Sequence, residues 1–209
     1  MIFASRQEAG QKLSQYLSGR NLQVDWVLGL PRGGVIVAAE VATALNRPLD
    51  ALVVRKIGHP WHREFAVGAL AEDGTVVLDE EVLGRTGVHS TDLDEVITEE
   101  RKRLAEYRAK FHRPDRPGLA GQSVLIVDDG LATGATTEAA ARSARAQGAI
   151  RVLVTAPVAS VNAVQRLEKV ADSVFALLVD PDFEAVGRYY RSFPQTTDAE
   201  VLQILLSGS

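Results

Sequence analysis

The chain has 209 residues, 46% of them hydrophobic, and a formal net charge of −4, which is enough apolar content for a buried core and, with no long basic run, leaves no footprint for nucleic acid. It contains no cysteine, so disulfides, thiol nucleophiles and zinc–thiolate sites are excluded together. No apolar run approaches the roughly 20 residues that span a bilayer, and the N-terminal stretch lacks the basic start and continuous apolar core of a secretory signal; a cytoplasmic protein with no membrane partner is the simplest expectation.

In chain order, residues 4–17 read as an amphipathic helix, because Leu13, Tyr16 and Leu17 share one face. Residues 24–28 form a first apolar strand, followed by a turn over 29–34, Gly-Leu-Pro-Arg-Gly-Gly, that is not expected to start as helix. A helix is predicted over 35–45, stopped by Asn46 and Pro48, and a second buried strand over 50–54. Arg55-Lys56-Ile57-Gly58 and the stretch 59–65 read as loop. Runs at 66–70 and 75–78, joined through Asp73-Gly74, predict a hairpin.

The period then changes. Leu93, Val96, Ile97, Leu104, Tyr107 and Phe111 make one stripe of a helix over 91–111, ended by Pro114 and Pro117. This helix could be a lid, a dimer arm or a packed insertion, and packing is the expected role. A strand at 123–127, an Ala-rich helix at 136–147 closed by Gly148, a strand at 150–155, a helix at 161–170 and a strand at 174–179 follow. Short apolar strands alternating with helices predict an α/β fold, a mostly parallel sheet with helices on both faces. Ligands in such folds sit at the carboxyl ends of the strands.

The chemistry concentrates in Val124-Leu-Ile-Val-Asp128-Asp129-Gly-Leu-Ala132-Thr133-Gly134-Ala135-Thr136-Thr137. Two carboxylates leave the end of a strand, and a loop of small and hydroxyl residues runs into a helix. Such a loop presents backbone N–H groups and the positive end of a helix dipole, which suits a phosphate. Two acids beside a phosphate site would repel it unless they serve sugar hydroxyls or a metal.

This segment resembles the phosphoribosyl pyrophosphate (PRPP) motif of type I phosphoribosyltransferases, and the chain looks closest to their uncharacterised bacterial branch over roughly residues 24–190. The resemblance implies that Asp128 and Asp129 hold the ribose hydroxyls and that Ala132, Thr133, Gly134, Ala135, Thr136 and Thr137 hold the 5′-phosphate. It implies a pyrophosphate loop at Arg55 and Lys56 with a non-proline cis peptide nearby, and a first active-site loop at Arg32, Gly33 and Gly34. Phe183 would stack on the acceptor base. Mg²⁺ would be the cofactor, carried by the substrate and reached through water from Asp128 and Asp129, with no direct protein ligand.

The implied reaction is transfer of phosphoribosyl from PRPP to a nitrogenous base or amine with loss of pyrophosphate, by a homodimer. The chain is expected to be one domain over 1–209, with a hairpin–helix insertion at about 59–117 and a C-terminal hood at about 180–209. The hypoxanthine–guanine branch carries an Asp where this chain has Ala132, so purine recognition through that Asp is not available here. His59 and His62 are spaced H-x-x-H beside Glu64, a pattern read as solvated loop residues rather than a metal site, and the loop could fold over the ligand with Trp61 as part of a cover. The alternative to a transferase is a PRPP-binding regulatory protein. An acyl- or phosphoryl-transfer enzyme of another α/β family ranks last, because neither G-x-S-x-G nor a Walker A motif is present.

Overall fold

A computed structural model describes residues 1–112 and 118–207. Helix α1 (Arg6–Ser18) is capped by Ser5, whose hydroxyl accepts the Glu8 N–H at 3.3 Å. Strand β1 (Trp26–Gly29) leads to α2 (Gly33–Leu45), which stops at Asn46 in the left-handed region, φ 51°. Strand β2 (Leu49–Ala51) runs on into the antiparallel set β3 (Val54–His59), β4 (His62–Ala71) and β5 (Val76–Leu78). Helix α3 (Glu80–Thr86), a 3₁₀ turn at Ser90–Leu93 and α4 (Asp94–Phe111) follow. Regular alternation then resumes with β6 (Ser123–Val127), α5 (Ala135–Ala146), β7 (Arg151–Ser160), α6 (Val161–Leu167) and β8 (Ser173–Asp180). A 3₁₀ turn at Val186–Tyr189 and α7 (Asp198–Ser207) complete the described chain.

The central sheet is parallel, in the order β2-β1-β6-β7-β8, and β3-β4-β5 form a separate antiparallel sheet. Successive side chains of a strand face opposite sides, and here both sides are apolar. Leu125, Val127 and Leu153 pack into one layer with Leu13 and Leu17 of α1, Val35 and Val41 of α2, and Val201 and Leu205 of α7. Val124, Ile126, Val152 and Val154 pack into the other layer with Ala140 and Ala144 of α5 and Ala163 and Leu167 of α6. That double burial is why the strands read as continuous apolar runs.

The structure corrects several expectations. Gly33 and Gly34, expected in a turn, are the first residues of α2. Arg55 to Gly58 lie in β3 rather than a loop, and 59–65 form the tip and outer half of the β3–β4 hairpin. The reason is that a hairpin whose outer half projects into solvent, with His62 to Ala66 all exposed, needs no apolar alternation to form. Helices α3 and α7 are additions to the expected elements. Helix α4 packs on β3, β4 and α7, with Val96, Leu104 and Phe111 buried. Pro114 and Pro117, expected to end it, and the last two residues of the expected hood lie outside the described residues.

An ion network links α5, α6 and the start of α3. Glu138, 7% exposed, pairs with Arg142 at 2.8 Å and with Arg166, and Arg166 reaches Asp79, the N-cap of α3, at 2.8 Å. Glu138→Ala would leave Arg166 with half its partners. A loss of roughly 1–3 kcal/mol is expected in urea denaturation, reduced from the value for a fully buried pair because Arg166 is partly exposed.

Candidate active site

Strand β1 continues to β2 on one side of the sheet, while β6 continues to β7 and β8 on the other. The loops leaving β1 and β6 therefore diverge, and a crevice opens between their carboxyl ends, where α/β folds place ligands. A cavity of about 260 Å³ lies there, lined by Leu30 to Gly33, Lys56, Asp128 to Thr137 and Val186. Arg32, Gly33, Asp128, Asp129, Ala132, Thr133, Gly134, Ala135, Thr136 and Thr137 are thus brought together from two loops about a hundred residues apart.

Each loop is shaped by its glycines. A Cβ at Gly34 would stand 2.8 Å from the Val127 carbonyl oxygen and 3.0 Å from Asp128 Cα, so only glycine lets α2 start against the end of β6. In the second loop Gly134 sits at φ +75° and turns the chain into α5, the conformation glycine adopts without steric cost. Ser160 fixes that loop from the side: its hydroxyl donates to the Ala132 carbonyl at 2.6 Å and accepts the Ala163 N–H at 3.0 Å, capping α6. Thr133 Oγ1 accepts the Ala135 N–H at 3.3 Å. The loop is thereby held as a concave turn at the positive end of a 12-residue helix. Thr137 closes the loop, its buried hydroxyl donating to Asp128 Oδ2 at 3.4 Å.

The two acids differ. Asp128 Oδ1 accepts the Asp129 N–H at 2.8 Å. Its carboxyl is pushed up to about 8, first by its enclosure in protein and then by the neighbouring charge of Asp129. Asp129 Oδ2 instead meets Arg6 Nε of α1 at 2.7 Å, and the Tyr190 hydroxyl donates to the Asp129 carbonyl at 2.6 Å. Burial and the Asp129 charge hold the Tyr190 phenol well above its ordinary range, so it stays a donor. Arg6, Tyr190 and Ser160 are additions to the site that the sequence reading misses. The one local signal is that a cation at the first residue of a helix opposes the dipole, which asks for a nearby anion.

A raised carboxyl in the folded state has a definite sign. Between the ordinary aspartate value of 3.8 and about 8, the native state holds a proton that the unfolded chain has lost. Stability contributed by Asp128 therefore falls as pH rises through that window and is level above it. Melting temperature measured against pH should show this decline in the ligand-free protein, and Asp128→Asn should flatten it.

The remaining predicted residues are less concentrated. Lys56 and Arg32 line both this cavity and an adjoining one of about 710 Å³ that runs under the β3–β4 hairpin to α4. Arg55 lines only the second and is paired with Glu100 of α4 at 2.8 Å. The cis peptide bond is at Pro31–Arg32, not near Arg55 and Lys56, which lie in a regular antiparallel ladder opposite Leu70 and Ala69. Phe183 is stacked on Tyr189 with ring centroids 5.2 Å apart and does not line either cavity. Trp61 is 69% exposed at the hairpin tip, and His59 is buried against the rings of Trp61, His62 and Phe65.

A parallel sheet with a small antiparallel sheet alongside, and an acid pair beside a helix-initiating loop at its switch point, match the type I phosphoribosyltransferase class. A family model described as phosphoribosyl transferase domain matches residues 2–191, and the chain belongs to that family. It is 45% identical over 208 residues to Mycobacterium tuberculosis proteins named as candidate phosphoribosyl transferases. The match takes in 98% of this chain and 46% of theirs, so the chain spans about half the length of these curated relatives. The crystal structure of TT1426 from Thermus thermophilus is similar over the whole of both chains, at 43% identity and a TM-score of 0.79. A purine phosphoribosyltransferase from Pyrococcus horikoshii shares the fold over 90% of each chain, at 16% identity and a TM-score of 0.50. Among the described residues no helix is long and apolar enough to cross a membrane.

Proposed function

We propose that this chain transfers a 5-phosphoribosyl group from PRPP to a nitrogenous base or amine, releasing pyrophosphate. The observation that carries the reading is the meeting of Asp128 and Asp129 with the Ala132–Thr137 cradle in one cavity. The cradle would take the 5′-phosphate on the amides and hydroxyls at the head of α5. The acids would take ribose hydroxyls, and negative charge beside the ring would favour the positive charge that develops there as the bond to pyrophosphate breaks. Lys56 and Arg32 also line the cavity and would supply the cations that the departing pyrophosphate needs; Arg55, already paired with Glu100, would act at longer range. Most of the rate enhancement would then come from positioning and fixed charge.

The site also suits Mg²⁺. Asp128 and Asp129 bring two adjacent carboxyl groups to one cavity, and oxygen donors of that kind suit a hard divalent cation. Asp128 and Asp129 are the residues that would face Mg²⁺ through water, and the ion would supply charge neutralisation for the departing diphosphate. A screen for pyrophosphate release from PRPP and Mg²⁺ across bases and amines tests the reading. Release with at least one acceptor is the expected result, and no release with any of them, from protein that binds PRPP, would reduce the site to a binding function.

A further inference from the structure

We infer that Arg6 is a positioning residue that sets how Asp129 meets the ribose, an inference resting on the PRPP reading above. Arg6 is the first residue of α1 and only 9% exposed. Its Nε donates to Asp129 Oδ2 at 2.7 Å, and its Nη1 donates to the Pro194 carbonyl at 2.7 Å. The guanidinium lies over the Phe193 ring, 3.7 Å from the centroid. Three anchors fix a planar group in one orientation, the geometry in which arginine outperforms lysine.

The consequence falls on the acid. Asp129 Oδ2 is held against Arg6 and against the backbone of Gly33, where a Cβ would come within 2.1 Å of that oxygen and 2.6 Å of Arg6 Nε. With Oδ2 occupied, and with the Asp129 carbonyl held by Tyr190 at 2.6 Å, the carboxylate has one oxygen left to offer the sugar. The residues that hold Arg6 in place, Phe193 and Pro194, belong to the segment between the Val186–Tyr189 turn and α7. Docking of that C-terminal segment is therefore linked to the orientation of a ribose-binding acid 123 residues from Arg6. Arg6 has no part in the cradle formed by Ala132 to Thr137.

That separation supplies the test. Calorimetry of Arg6→Ala with PRPP and Mg²⁺ should show affinity at least about tenfold weaker than the parent, a loss of more than one hydrogen bond's usual net value. Inorganic phosphate, which needs only the cradle, should bind to within about twofold of the parent. Free guanidinium added at non-denaturing concentration should restore part of the PRPP affinity, and Arg6→Lys, which keeps the charge without the fork, should fall between parent and Arg6→Ala. If Arg6→Ala does not fold, the Arg6→Lys comparison of PRPP with phosphate decides the matter alone. Undiminished PRPP affinity, or an equal loss for both ligands without guanidinium rescue, would overturn the inference. A parent protein that takes up phosphate but not PRPP would instead overturn the reading on which it rests.

Discussion

Asp129→Asn is expected to lower kcat/KM for PRPP at least about tenfold, a loss of roughly 1.4 kcal/mol of transition-state binding. The amide keeps the shape of the carboxylate and can still accept from Arg6 Nε, which now donates to Asp129 Oδ2 at 2.7 Å. On the PRPP reading, the charge lost is the one that would favour a ribose turning positive as the leaving group departs. The same change has a second, separable effect. The charge of Asp129 is one cause of the upward push on Asp128, so its removal should lower the proton affinity of Asp128. The acidic limb of the pH–rate profile governed by Asp128 should then move to lower pH while the plateau falls. A variant with an unchanged plateau would remove Asp129 from the chemistry.

Gly33→Ala should be as damaging although it replaces no charged group. The added methyl would meet Asp129 Oδ2 at 2.1 Å and Arg6 Nε at 2.6 Å, far inside contact distance, so the acid or the arginine must move. A displacement of about 1 Å at a positioning group can cost on the order of a hundredfold in rate. The control is Gly84→Ala, in the helix α3, where nothing lies within 4 Å of the added atom. There alanine should be neutral or stabilising by up to about 1 kcal/mol, because glycine is the poorer helix former. Loss of PRPP turnover in Gly33→Ala alone, with melting temperatures close to the parent in both, is the expected pattern. Full turnover in Gly33→Ala would mean that the acid's placement against α2 is not what organises the site.

The parts of this site that could be read from sequence are those whose physics is local. Strand β6, the acid pair and the small-residue loop are continuous in the chain, and their ordering alone conveys an anion cradle beside two carboxylates. The Gly-Gly pair is legible as part of the site but not as helix, because what allows Gly34 to begin α2 is its contact with the Val127 carbonyl and Asp128, far away in sequence. Arg6 reads only as one residue of an amphipathic helix, since its partner lies 123 residues on. The β3–β4 hairpin is half concealed: in β4 the inner half, Val67 to Ala71, is apolar and buried, while the outer half, His62 to Ala66, is mostly polar or aromatic and exposed on both faces. Arg55 and Lys56 are adjacent in sequence and both line the larger cavity, yet only Lys56 also reaches the acid cavity, while Arg55 pairs with Glu100. Helix α3 gives little signal because Leu83 is its one buried residue.

The measurement that bears most directly on the proposed chemistry is calorimetric titration of the protein with PRPP in the presence of Mg²⁺, repeated on the double variant Asp128→Asn/Asp129→Asn. Saturable uptake by the parent at one site per chain, displaced by excess inorganic phosphate and weakened at least about a hundredfold in the double variant, is the predicted result. No uptake by the parent, or uptake that the double variant retains in full, would contradict the assignment of a phosphorylated ribose to the crevice between β1 and β6.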